Sequence, residues 1–171
     1  MTADQAAFLA QQFAGLMASE FPATCKVLAS LKEEGRDYRP DGKSRTAWEL
    51  ATHLATADVW FLDCIVNGAF TFDPAKAREA ESQFKTVDDV VRFYQQTIPA
   101  KLNEVRSMPP EHLTRDVDFF GMMSRPAVAF LGLANNHSTH HRGQLAAYLR
   151  ASGSTVPAIY GGSADEPMMA S

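Results

Sequence analysis

Apolar side chains recur along this chain at spacings of three and four residues, in four long segments separated by polar, turn-forming stretches. The first runs from about 3 to 33 with Phe8, Leu9, Phe13, Leu16, Met17, Phe21, Val27, Leu28 and Leu31 as its stripe, and Pro22 marks a kink or a second piece. Residues 36–44 are rich in turn formers and read as a loop. Thr46-Ala47-Trp48-Glu49 matches a capping box and opens a second helix, 46–67, which Gly68 stops. Its stripe is Leu50, Leu54, Ala57, Phe61, Cys64 and Ile65, with His53 on the same face. Residues 69–84 read as a connection with room for a short helical turn. Thr86 caps a third helix, 87–107, which carries Val90, Val91, Phe93, Tyr94, Ile98 and Leu102, with a bend expected at Pro99 and an end at Pro109-Pro110.

Residues 111–124 alternate in a β-like way over a few positions and read as an extended linker or a short hairpin, with His112 exposed to solvent. Pro126, at the first turn, starts the fourth helix, 126–151, and Gly153 closes it. Segment 156–162 is apolar enough to pack back, and a flexible tail is expected from about 163 to 171. The chain shows no internal repeat and no second-domain boundary. The pattern predicts one all-α domain over 1–171, a four-helix bundle.

Composition narrows the partners. With 171 residues, 46% hydrophobic and 21% charged, the chain can bury a sizeable core without a structural metal or disulfides. A net charge of −4, a pI near 5.7 and the lack of a Lys/Arg cluster argue against a nucleic-acid partner. No basic region followed by an apolar one opens the sequence, and no apolar run approaches about 18 residues, so the expectation is a cytoplasmic protein without a membrane partner. Cys25 and Cys64 form no CxxC pattern and read as reduced, buried filler.

The histidines supply the candidate chemistry. Three of five fall in Asn135-Asn136-His137-Ser138-Thr139-His140-His141-Arg142-Gly143-Gln144. His137 and His141, at i and i+4, project from one helix face, the arrangement that grips one metal ion. His53, inward-facing on the second helix, is the candidate third ligand. Three imidazoles leave a coordination position open, as in catalytic rather than structural sites, and imidazole suits Zn, Ni, Fe and Cu alike. His140 competes for the role, but it stands about 100° from the Phe130–His137–Leu145 stripe. Cys64 lies about 16 Å along the helix from His53, too far to join. Glu49, Gln144 and Asn136 are candidates for orienting the rings, with a solvated or capping side chain as the equal alternative.

The run His137-Ser138-Thr139-His140-His141-Arg142-Gly143-Gln144-Leu145, followed by Tyr148 to Gly153 and Val156-Pro157, resembles the DinB/YfiT-like superfamily, as does Trp48-Glu49-Leu50-Ala51-Thr52-His53-Leu54-Ala55. The resemblance implies an up-up-down-down bundle with a long crossover, often a homodimer, and a divalent metal, Zn or Ni first and Fe as an alternative, held by His53, His137 and His141. The family's DNA-damage name reflects induction of a member and implies no DNA binding. Relatives include S-transferases that use bacillithiol or mycothiol, which points to a metal-dependent transferase acting on a small-molecule substrate and a low-molecular-weight thiol. Two rivals stand beside it: a hydrolase in which the ion activates water and Glu49 takes the proton, and a metal-binding or dimeric interaction protein without turnover.

Overall fold

A computed structural model describes residues 1–168 of the chain. Four long helices make up most of it: α1 (Ala3–Ala29), α2 (Ala47–Asn67), α4 (Val87–Arg106) and α6 (Phe130–Ala151). Between them lie α3 (Pro74–Ser82), the short α5 (Pro110–Leu113), and a hairpin of β1 (Asp116–Phe119) and β2 (Met123–Pro126). Each long helix packs against two others, α1 and α2 both contacting α4 and α6, so the order around the core is α1, α4, α2, α6.

Local signals set the helix starts. At Thr46 and Thr86 the hydroxyl accepts the amide three residues on, while the side chain of Glu49 or Asp89 returns to the threonine amide. Gly68, at φ 69°, stops α2 in the left-handed conformation that glycine adopts without a steric penalty. α1 differs from expectation in two respects. It ends at Ala29, with only a 3-10 turn at Glu33–Gly35 beyond, and it runs unbroken through Pro22. Its buried seam is Ala6, Ala10, Ala14, Met17, Thr24, Val27 and Leu28, while Phe8 is 63% exposed and Leu16 also faces outward. Small alanines let α1 come close to its neighbours, so the large apolar side chains do not mark the packed face.

The fourth helix also starts later than expected. Pro126 ends β2, a 3-10 turn covers Ala127–Ala129, and α6 begins at Phe130. The hairpin reading of 111–124 is the one the structure bears out, in the register Asp116 opposite Pro126, and His112 is exposed on α5. Part of the tail expected to be flexible is tied down. The Ser163 hydroxyl accepts from the amides of Asp165 and Glu166, Asp165 takes Arg150 and the Val156 amide, and Glu166 takes Lys26 and the Ala158 amide. The last three residues of that stretch, 169–171, lie outside the described residues. No helix among the described residues is long and apolar enough to cross a membrane.

Arg142 locks α6 onto α1. Only 2% exposed, its guanidinium donates to the Glu20 carboxylate at 2.6 Å, the Glu20 carbonyl at 3.2 Å, Thr24 Oγ1 at 3.3 Å and the Tyr160 hydroxyl. Arg142→Met should lower unfolding free energy by about 3 kcal/mol, the low end for breaking a buried pair because Glu20 keeps 19% of its side chain exposed. Urea denaturation checks this; an unmoved midpoint would show the cluster to be energetically idle.

Candidate metal centre

His53 comes from the middle of α2, and His137 and His141 from successive turns of α6. Because α2 packs on α6, the three rings meet, with centroids 4.4 Å apart for His137–His141, 4.9 Å for His53–His141 and 5.4 Å for His53–His137. One nitrogen from each ring lies within 4.8 Å of the other two, forming a half-buried cluster able to hold a metal ion. His140 is exposed on the flank of α6 and stands outside this set. Cys64 is also outside it; burial pushes its thiol pKa up, and pushes that of Cys25 to about 11.

Each ring turns its Nδ1 toward an oxygen of a different residue. His141 Nδ1 lies 2.8 Å from Gln144 Oε1, and His53 Nδ1 lies 3.4 Å from Glu81 Oε1. His137 Nδ1 faces Asp58 Oδ1 at 3.9 Å, too long for a hydrogen bond, and both atoms are buried without a partner among the described residues. Where an oxygen accepts, as at His53 and His141, Nδ1 is the protonated nitrogen and Nε2 keeps its lone pair. Outer groups holding metal-binding histidines in one tautomer do this. An unpaired imidazole nitrogen and an unpaired carboxylate oxygen facing each other in the interior also fit a site that tightens around an ion.

The electrostatics favour neutral rings at His53 and His141. Burial, and then Arg45 and the two neighbouring imidazoles, push the His53 pKa down from 6.5 to about 3. The contact with Glu81 is therefore a neutral N–H donating to a carboxylate, not an ion pair with an imidazolium. His141 is lowered mainly by burial and by His137, with the Gln144 contact opposing. Glu81 is raised, chiefly by burial, with Arg45 3.8 Å away acting the other way. Neutral imidazole is the metal-binding form.

Two of the orienting groups were not anticipated. Glu81 belongs to α3, and Asp58 is 1% exposed within α2, where its Oδ2 accepts from Tyr94 Oη at 2.8 Å and Ser138 Oγ at 2.7 Å. A carboxylate on a helix face otherwise built of Leu54, Ala57 and Phe61 was the available signal for Asp58. For Glu49 the structure shows the capping alternative: its Oε2 accepts from the Thr46 amide at 2.8 Å, and no contact with the rings is present among the described residues. Gln144 contacts His141, while Asn136 is exposed and makes no such contact among the described residues.

The depressed His53 pKa has a sign that can be tested. Below about 6.5 the unfolded chain takes up a proton that the folded, metal-free chain refuses until about pH 3, so stability from this residue is present at neutral pH and lost as pH falls through that window. In chelator, the melting temperature should fall on acidification, and His53→Gln should flatten part of that slope. Parallel slopes for the two proteins would refute the buried neutral state.

Comparison with known proteins places the chain. It is 27% identical over 139 residues to the Bacillus subtilis protein YjoA, spanning 80% of this chain and 86% of YjoA, and 28% identical over 150 residues to YrdA of the same organism, spanning 86% and 85%. Neither relative has a characterised activity. A crystal structure of a DinB-like protein from Bacillus cereus superposes with a TM-score of 0.72 at 25% identity, covering 88% of this chain and 97% of that one. The crystal structure of YjoA, described as DinB-like, superposes at 0.66 with 24% identity, covering 84% and 93%, and supports the fold alone. The family model for DinB matches residues 6–168, nearly the whole of the bundle and the three histidines within it, and the chain belongs to the DinB family.

Proposed function

We propose that His53, His137 and His141 hold one divalent ion, zinc or nickel, and that the chain is a transferase acting on a low-molecular-weight thiol. The observation that carries this reading is the convergence of three imidazoles, each with Nδ1 turned toward an oxygen of another residue. An ion held by three nitrogens would supply Lewis acidity at its open position, favouring thiolate over thiol near neutral pH. The chain's own residues do the rest. Glu81, Gln144 and Asp58 fix the ring orientations, and Phe61, whose ring centroid lies 5.0 Å from that of His137, keeps one side of the site dry. In S-transfer the thiol proton leaves to solvent, sulfur bonds to the electrophilic carbon, and the leaving group departs with the bonding pair.

Hydrolysis is the second reading, favoured by a specific observation. Glu81 lines the cavity beside His53 and His137 with its pKa raised by burial, the basicity that a proton acceptor for water needs. It takes the role that sequence had given to Glu49. The ring order of the long helices supports the up-up-down-down topology as part of the same proposal, since α1 and α2 lie across the core from each other and are joined by a long connection.

Metal analysis of the purified chain should find one ion per chain, and His137→Ala and His141→Ala should each remove most of it. Unchanged content in both variants would defeat the assignment. In the Co(II)-loaded protein a small thiol should produce a sulfur-to-metal absorption band; turnover of esters or amides without any such band would favour hydrolysis.

A further inference from the structure

α3 is a nine-residue helix in which, among the described residues, none is buried. A helix this short is marginal without packing. Its start is fixed by Asp73, which accepts from the Ala75 amide at 2.8 Å, and by Pro74 in the first turn, but its inner side rests on a cavity. That cavity has a volume of about 750 Å³, within the range of small-molecule sites. Ala57, Trp60 and Phe61 of α2, Phe72 of the connection, Ala77 of α3 and Phe93 of α4 supply its apolar wall. His53 and His137 line it too, so it opens onto the histidine cluster.

Lys76 and Asn67 line the cavity as solvent-exposed side chains, and the remaining polar groups of the wall are largely committed elsewhere. Asp63 takes Lys101 at 2.8 Å, Asp73 caps α3, and Glu81 faces His53 and Arg45. The Thr56 hydroxyl donates to the Thr52 carbonyl at 2.9 Å, and the Trp60 indole N–H donates to the Thr71 carbonyl at 3.0 Å. A ligand body entering here meets aromatic faces and alanine methyls, and few free donors or acceptors. A polyhydroxylated sugar would lose its hydrogen bonds to water without replacing them. An uncharged ring system would lose nothing and would bury its own surface together with that of Trp60, Phe72 and Phe93.

We infer that this cavity is the binding site for an uncharged small molecule with an apolar body of about one or two rings, whose reactive or metal-binding atom lies at the His53–His137 end. The site is that of the apolar partner in the reaction and excludes the sugar portion of a sugar thiol. The inference rests on the metal-site reading only for the function of that end, since the wall stands without it.

The test uses the full chain, with and without its ion. A neutral naphthylamine probe, followed by its fluorescence and by energy transfer from tryptophan, should bind both forms. Ala77→Trp, which fills the cavity from a helix with no buried residue, should weaken binding about tenfold or more while leaving metal content and melting temperature unchanged. Ala80→Phe provides the same blockade one turn on. With Co(II) bound, phenylmethanethiol should bind about tenfold more tightly than 2-mercaptoethanol or 1-thioglucose, and Ala77→Trp should erase the difference. Probe binding unaffected by both variants, or thioglucose matching phenylmethanethiol, would overturn the inference. Probe binding blocked by the variants, together with failure of the chain to take up any divalent ion, would uphold the cavity and defeat the metal reading. Metal uptake with no probe binding would do the reverse.

Discussion

A carboxylate sealed inside a helical core must be met by donors, because burying it unpaired costs several kcal/mol. Asp58 is that carboxylate here, and one of its oxygens takes hydroxyls from α4 and α6 while the side chain itself belongs to α2. Three of the four long helices therefore meet at a single atom. Ser138, the donor from α6, directly follows His137, so the tie that sets α6 against α2 also aims the imidazole. On the far side of α6, Arg142 directly follows His141 and binds α1 through Glu20 and Thr24. The helix that carries two of the three histidines is thus held by polar anchors next to each of them. Helix packing by apolar contact alone tolerates small rotations, and a metal-sized cluster does not.

What sequence could tell depended on how local the signal was. The capping boxes at Thr46 and Thr86 and the stop at Gly68 involve residues within one turn, so they read directly and the structure reproduces them. α1 was phased by its large side chains, yet its packed seam is built on Ala6, Ala10 and Ala14, residues that carry little weight in a hydrophobic pattern. Leu31 stretched the expected helix past its end; it is buried although it lies beyond Ala29. Residues 69–84 read as a connection with room for a short helical turn, and α3 is a nine-residue helix there, started by Asp73-Pro74 and continued by alanines and charged residues.

The histidine cluster read well for a related reason. His137 and His141 are a local pair, and the phase of α6 separates them from His140 without knowledge of any other helix. His53 required one further step, its place on the inward face of α2. The groups behind the rings did not follow. Glu81 is 28 residues from His53 and reaches it only because α3 folds back over α2. Glu49, only one turn from His53, looked better placed in sequence, yet its carboxylate was already committed by the capping box that had identified the helix start.

The position of α3 links the cavity to the cluster. Its C-terminal end carries Glu81, whose contacts are with His53 and Arg45, while its middle faces the aromatic wall across open space. The helix is therefore held at its ends, by the Asp73 cap and by Glu81, and not by a packed face. Whatever fills the space beneath it supplies the apolar contact the helix lacks and steadies the carboxylate that fixes the His53 tautomer. Ligand packing and imidazole orientation are then properties of one element, and the chemistry at the three histidines cannot be set independently of what occupies the neighbouring cavity.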